Sequence, residues 1–208
     1  MLRFVIVLVG LAIVGAFPDM PPWFEKYEKI EKKIVEMLEG TKWEKDEKIV
    51  EEMVPMRDGV ELHTWIVHPD MIRHHKRDDT KKYPTVMDRS PYGYGDMEWI
   101  TDIFVTFGYV GVGQDMRGTE KSQGNFTMWH SDAFDSRDTG DWIVAQPWSN
   151  GKIYTIGASA DGLGSIQTPK TNPGWLAGQY IIWAPAIAYE ILLPQGAFKQ
   201  KTVEDWLH

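Results

Sequence analysis

The hydrophobic positions of this chain change period along its length, and that change divides it. Between residues 23 and 39 the apolar groups Trp23, Tyr27, Ile30, Ile34, Met37 and Leu38 recur at helical spacing, with Glu and Lys between them. The pattern predicts an amphipathic helix closed by Gly40, its stripe packed on a domain or offered to a partner. Residues 48–56 and 60–68 read instead as two strands meeting at Asp58-Gly59, a strong hairpin signal. Residues 69–82, dense in charge from 72 to 79, read as an exposed loop. Strands are then predicted over 83–88 and 109–114, from Ile153 onward, and as a buried strand over 177–183. Helices are predicted over 97–107, over about 133–145 and after Ser159. Strand alternating with helix implies an α/β fold with a mostly parallel sheet and right-handed crossovers.

The segment Ile153-Tyr154-Thr155-Ile156-Gly157-Ala158-Ser159-Ala160-Asp161-Gly162 carries the candidate chemistry. A strand runs into a Gly, the Ser stands between two Ala, and a second Gly precedes a helix-compatible stretch. A nucleophile elbow needs such small neighbours, because the strand-to-helix turn is tight enough to push the Ser hydroxyl out over the sheet. The same turn aims the next backbone N–H, that of Ala160, at a developing oxyanion. The hydroxyl becomes a good nucleophile only when a base removes its proton. Ser between glycines also serves as plain turn chemistry. The strand before and the helix after decide between the two.

Composition narrows the function classes. The formal charge is −8, which argues against nucleic acid, whose phosphates reward Lys and Arg. The absence of Cys excludes disulfides, thiolate nucleophiles and Cys-ligated zinc. With 43% hydrophobic residues and 10 Trp, a core of roughly one domain is expected. Residues 1–16 read as a secretory signal: Arg3 near the start, an apolar run from Phe4 to Val14, then Gly15-Ala16 as small residues for cleavage. The apolar run is shorter than the ~20 residues of a spanning helix, so no stable membrane span is expected after cleavage. Residues 17–47 would form a helical extension. Asn125-Phe126-Thr127 is a glycosylation sequon, in keeping with a secreted chain.

Other polar residues have structural readings. Asp115, at a strand end with Arg117 two residues on, suggests a partly buried ion pair or a backbone-anchored loop rather than catalysis. Asp132, Asp135, Asp138 and Asp141 recur every three residues; helix capping and the helix dipole account for them better than a metal cluster. His63 and His68 in the hairpin, and His74 and His75 in the charged loop, read as packing or surface, while His130 falls near a cleft. Gly111-Val112-Gly113 lies inside a strand, with Met116 where a dinucleotide fingerprint needs its third Gly. No metal or cofactor is implied.

Four ordered blocks resemble the X-Pro dipeptidyl-peptidase and cocaine-esterase-like (S15-type) branch of the α/β-hydrolases. They are Val54-Pro55-Met56-Arg57-Asp58-Gly59-Val60; Arg89-Ser90-Pro91-Tyr92; Gln114-Asp115-Met116-Arg117-Gly118 with Ser122-Gln123-Gly124; and Asp138, Asp141-Trp142-Ile143 and Gln146 to Gly151, leading into Gly157-Ala158-Ser159. The resemblance implies that Ser159 is the nucleophile, with the Tyr92 hydroxyl and the Ala160 N–H as oxyanion donors; from the residues alone Tyr92 reads as a turn aromatic. It implies a small ester or peptide substrate. Ala160 stands where the family carries an aromatic, which bears on substrate preference. In this fold the triad runs Ser, then Asp or Glu, then His. Glu190, Glu204, Asp205 and His208 are the only acids and His beyond Gly162. None of them matches the family's motifs. Residues 48–208 are therefore expected to be an incomplete α/β-hydrolase fold, lacking the cap, the acid/base region and the closing β-sandwich. Two functions follow: a secreted serine hydrolase, or a catalytically inactive remnant acting as a binding or structural module.

Overall fold

The computed structural model describes residues 49–201 except 75–76, 79, 94–102, 183, 185–188 and 190–192. The predicted helix over 23–39 and the first part of that over 97–107 lie outside the described residues. Residues 103–106 are helical. The chain divides into two compact units, Met1–Glu47 and Lys48–His208, and every described residue belongs to the second.

The hairpin forms where the turn signal stands. Strands β1 (Ile49–Pro55) and β2 (Glu61–Val67) pair antiparallel, with Pro55 opposite Glu61. Gly59 turns the chain at φ +83°, and the Asp58 carboxylate accepts the Val60 N–H at 3.2 Å. Val54, Met56 and Leu62 bury the hairpin's inner face.

Residues 69–82 are not one exposed loop. Pro69–His74 is a short helix, α1, with Pro in its first turn, where a missing N–H costs nothing. Asp70 in that turn is buried and accepts the Tyr83 hydroxyl at 2.7 Å. Charge density hid the helix because its one carboxylate, Asp70, is an anchor.

Strands β3 (Tyr83–Ser90), β4 (Val110–Asp115), β5 (Ser149–Ala158) and β6 (Leu176–Ile182) form a parallel block within the six-stranded order β1-β2-β4-β3-β5-β6. β2 joins it antiparallel to β4. Period-2 alternation divides the core. On one face Met87, Val112 and Ile153 pack with Ile143 of helix α2 (Asp132–Ala145). On the other, Val86 and Ile156 pack against Phe104, Tyr109 and Tyr154.

β6 departs from its predicted burial. It is half-buried to exposed along its length, and Tyr180 is 63% exposed. Among the described strands only β5 pairs with it, so its apolar run is not a mark of a central strand.

The chain runs from β3 outward to β4, then returns past β3 to β5. That reversal opens a crevice at the carboxyl ends of β3 and β5, the position where open α/β sheets bind ligands. Packing beneath it is tight. Gly140 of α2 sits against Trp175, whose indole carbons occupy the place a Cβ would take. We expect Gly140→Ala to lower stability by about 1–3 kcal/mol through overpacking, measured as a fall in the thermal unfolding midpoint with the secondary structure unchanged.

Candidate active site

Ser159 stands at the turn between β5 and the short helix α3 (Ala160–Ser165), with its side chain exposed. Its backbone is at φ +54°, ψ −114°, a strained conformation for a residue with a Cβ, costing of order 1–3 kcal/mol. Three bonds hold it. The Ser159 N–H donates to the Ile182 carbonyl of β6 at 2.9 Å, the Leu163 N–H donates to the Ser159 carbonyl at 3.1 Å, and the Ser165 hydroxyl reaches back to Ile156 O at 2.9 Å.

The flanking glycines are sterically required. A Cβ on Gly157 would lie 2.5 Å from the carbonyl carbon of Asp161, and one on Gly162 would lie 2.5 Å from the Ala184 Cβ. Both glycines therefore let helix and strand approach closely. As the first residue of α3, Ala160 has an N–H with no intrahelical acceptor.

Tyr92 follows β3 by two residues, 45% exposed, its N–H donating to the Ser90 hydroxyl at 3.1 Å. β3 pairs with β5 in parallel, Met87 opposite Thr155. Tyr92 and Ser159 thus leave adjacent strands at the same end of the sheet.

The other predicted residues form the support. Arg89, buried at the end of β3, donates to Gln114 Oε1 at 2.8 Å and to Asp132 Oδ1 at 2.7 Å. Gln114 in turn donates to the Thr64 hydroxyl at 2.9 Å. Arg117 clamps Asp135 with two bonds, at 2.9 and 2.6 Å, and Asp58 at 2.8 Å. These carboxylates push its pKa upward against burial. Arg57 grips Asp138, at 2.7 Å from Nη2. Arg137 bonds Asp141 at 2.8 Å.

The four aspartates are accordingly arginine acceptors. The N-cap, Ser131, makes no side-chain cap bond, and the row is explained by the four guanidiniums rather than chiefly by capping. Burial pushes Asp132 up despite Arg89. Asp138 stays below the usual carboxylate range: burial raises it, but the Arg57 side chain and N–H outweigh burial.

Asp115 does not pair with Arg117. It takes His63 Nδ1 at 3.1 Å and the Lys121 backbone N–H at 3.2 Å, so it anchors a loop. His63, buried, also reaches Glu51 at 2.8 Å from Nε2, stapling β1, β2 and β4 together. Burial raises the Asp115 carboxyl. Gly118, at φ +73°, has the Asn125-Phe126 backbone where a Cβ would project, so the Arg117 loop folds back on itself. Asn125 is exposed on it.

Sequence reasoning missed Trp129. Its indole N–H donates to the Ala160 carbonyl at 3.0 Å, bracing the first turn of α3. Met128 and Trp129 take φ of +50° and +63°, a second strained stretch beside the elbow. No residue-type signal marks a left-handed Trp in advance. His130, next to it, is exposed and lines a cavity of about 660 Å³ with Phe134, Arg137 and Lys170. The Ser159 hydroxyl makes no hydrogen bond to a described residue. Asp88 and Asp161, below the turn, are also buried, and burial followed by the Asp161 charge holds Asp88 well above the ordinary carboxylate value.

A strained Ser on a strand-to-helix turn at the switch point of a 1-2-4-3-5-6 sheet defines an α/β-hydrolase core. The family model described as X-Pro dipeptidyl-peptidase (S15 family) matches residues 58–208. The chain belongs to this family. It is 32% identical to the cocaine esterase of Rhodococcus sp. (strain MB1 Bresler) over 162 residues, covering 74% of this chain and 27% of that enzyme. A solved α-amino acid ester hydrolase superposes with a TM-score of 0.54 at 31% identity, over 67% of this chain and 26% of that one. An esterase of Pyrococcus furiosus, 17% identical, shares the fold with a TM-score of 0.57 over 77% of this chain and 60% of its own. The chain thus spans about a quarter of the length of its S15 relatives.

The buried guanidinium of Arg89 gives a direct test of the support. Arg89→Met leaves Asp132 and Gln114 without their cation, and we expect a loss of about 3–5 kcal/mol. The variant's Asp132 would have a folded-state pKa raised further. Its deficit should therefore be largest at neutral pH, shrink as pH falls through the raised folded-state value, and be smallest below about pH 4, as followed by denaturant unfolding at several pH values.

Proposed function

We propose that this chain is the nucleophile-bearing part of a secreted serine hydrolase that cleaves ester or amide bonds through an acyl-enzyme. The single observation carrying this reading is the Ser159 backbone, held at φ +54° in an exposed turn between β5 and α3. Strain of this kind persists where the surroundings over-determine it, and such sites are commonly functional.

In the reaction the Ser159 Oγ attacks the substrate carbonyl carbon while a base takes its proton. The Tyr92 hydroxyl and the Ala160 N–H receive the oxyanion. The tetrahedral intermediate expels the alcohol or amine, which takes up the proton, and water then hydrolyses the acyl ester of Ser159. An imidazole supplies the base in this mechanism, from outside the described neighbours of the Ser159 hydroxyl. X-Pro peptides, α-amino esters and simple acyl esters all fit the chemistry. The names of the relatives, an esterase and an α-amino acid ester hydrolase, support that range. Neither a cofactor nor nucleic acid has a part in it. Residues 1–16 would direct export, and Asn125 would carry glycan.

A second reading, an inactive remnant serving as a binding module, is favoured by the missing base partner of Ser159 among the described residues. A fluorophosphonate probe separates the two. We expect the 208-residue chain to be labelled slowly, at no more than the ~10³–10⁴-fold residual acceleration that remains without a base. Labelling should vanish in Ser159→Ala and fall a further ~10²–10³-fold in Tyr92→Phe. Fast labelling that needs Ser159 would place a base within the chain, with His130 and His208 the first to substitute. Labelling indifferent to Ser159→Ala would overturn the hydrolase reading.

A further inference from the structure

The cavity of about 660 Å³ beside Trp129 takes no part in the chemistry above, and its volume is that of a small-molecule site. Four segments wall it. Arg57 comes from the hairpin turn, Trp129 from the loop before α2, Phe134, Arg137 and Asp141 from α2, and Lys170 from the 3₁₀ turn Thr168–Thr171. Three cations thus line it against one carboxylate, on a chain whose formal charge is −8.

That one acid is already engaged at both oxygens. Asp141 Oδ2 accepts from Arg137 Nε at 2.8 Å, and Oδ1 accepts the Trp175 indole N–H at 2.9 Å. The cations, by contrast, keep donors in reserve. Arg57 gives Nε and Nη2 to the half-buried Asp138, at 2.9 and 2.7 Å. Arg137 gives Nη1 to the Thr171 carbonyl at 3.2 Å. Arg57 Nη1 and Arg137 Nη2 have no partner among the described residues, and each carries two N–H donors. The bonds that are made hold both guanidinium planes, and the Gln167 side chain tethers Lys170. Donors fixed before a ligand arrives lose less freedom when it binds.

The walls are aromatic and braced in the same way. Phe134 is 53% exposed, with the Arg57 guanidinium carbon 4.8 Å from its ring centroid. Trp129 is fixed by its bond to the Ala160 carbonyl and by Phe126, edge-on at 6.2 Å. Apolar walls with a few convergent polar groups suit an amphiphilic ligand better than a bare ion.

We propose that this cavity binds a small organic anion: an apolar body carrying one carboxylate. The carboxylate takes charge-assisted bonds from Arg137, Arg57 and Lys170, and the body lies against Phe134 and Trp129. Ester hydrolysis releases an acid at every turnover. Under the reading of Ser159 as nucleophile, the product therefore belongs to this ligand class, and Trp129 joins its site to the first residue of α3. The cavity's affinity for such an anion does not rest on that reading.

Calorimetric titration of the full chain with phenylacetate, its neutral amide phenylacetamide and inorganic phosphate tests the site. We expect one saturable site for phenylacetate, with the amide at least about 10-fold weaker for want of the charge-assisted bonds. Phosphate should also be about 10-fold weaker, because it has no apolar body to bury. Lys170→Gln and Arg137→Gln should each weaken phenylacetate by about 10-fold and narrow the gap between acid and amide. Phe134→Ala should weaken acid and amide together and leave phosphate unchanged. All three side chains are at least partly exposed, so the unfolding midpoints should stay close to the parent's.

No saturation by about 10 mM phenylacetate would overturn the proposal. So would equal affinity for acid and amide, phosphate binding as tight as the acid, or phenylacetate binding untouched by all three substitutions. Fluorophosphonate labelling keeps the two readings apart. Ser159-dependent labelling without phenylacetate binding removes the anion site alone. Phenylacetate binding in a chain whose labelling is indifferent to Ser159→Ala removes the nucleophile reading alone.

Discussion

The close approach of α3 to β5 is the constraint on which the rest of the structure depends. Helix and strand meet so tightly that only hydrogen fits at Gly157 and Gly162. That contact leaves Ser159 no ordinary conformation, so the residue between them is driven to positive φ with its hydroxyl facing outward. The cost is local and the support is distributed: a β6 carbonyl, the α3 ladder and the Trp129 indole each bind one group of the turn. A serine placed in this way needs no side-chain partner to stay exposed. Its position is therefore separable from its activation, which requires a base.

The four blocks that resemble the family hold this turn in place more than they do chemistry. Arg57, Arg89 and Arg117 come from three of them, and each reaches an aspartate on α2. α2 packs through Ile143 on the sheet face that carries Met87 and Ile153. A row of carboxylates along one helix is thereby cross-linked to the hairpin, to β3 and to the loop after β4. Buried pairs of this kind contribute little net stability against an apolar alternative, but losing one partner strands a charge. What such a network adds is a fixed register among elements that a purely apolar contact would let slide.

The sequence was legible where local chemistry and global packing agree. Asp58-Gly59 marked the hairpin because a positive φ was needed there, and the Gly157–Gly162 bracket marked the elbow because a Cβ would collide. Where the two disagree, pattern failed. Asp70 looked like loop charge but is a buried acceptor for Tyr83. The Asp132–Asp141 row looked like capping because the partners of Asp132, Asp135 and Asp138 are distant in sequence: Arg57 lies 81 residues from Asp138. The apolar run of β6 looked buried, yet burial depends on neighbours that the run itself does not specify. Trp129 carried no signal at all, since its role comes from a left-handed backbone and a carbonyl 31 residues away.

Ala160 shows how these two kinds of information combine. The family places an aromatic after the nucleophile, and this chain places a methyl group there, nearly fully buried. The oxyanion donor proposed there is a backbone N–H, so the substitution leaves it in place. Trp129, on the loop before α2, instead brings an aromatic to the same residue, its indole N–H donating to the Ala160 carbonyl. An aromatic on a strained loop is set by different contacts from one on the helix itself. Its orientation depends on Met128 and Trp129 keeping positive φ, and on Phe126 stacking edge-on at 6.2 Å. Under the proposed hydrolase reading, selectivity would then follow the loop from Phe126 to Trp129, while the elbow residues would set only where the reaction occurs.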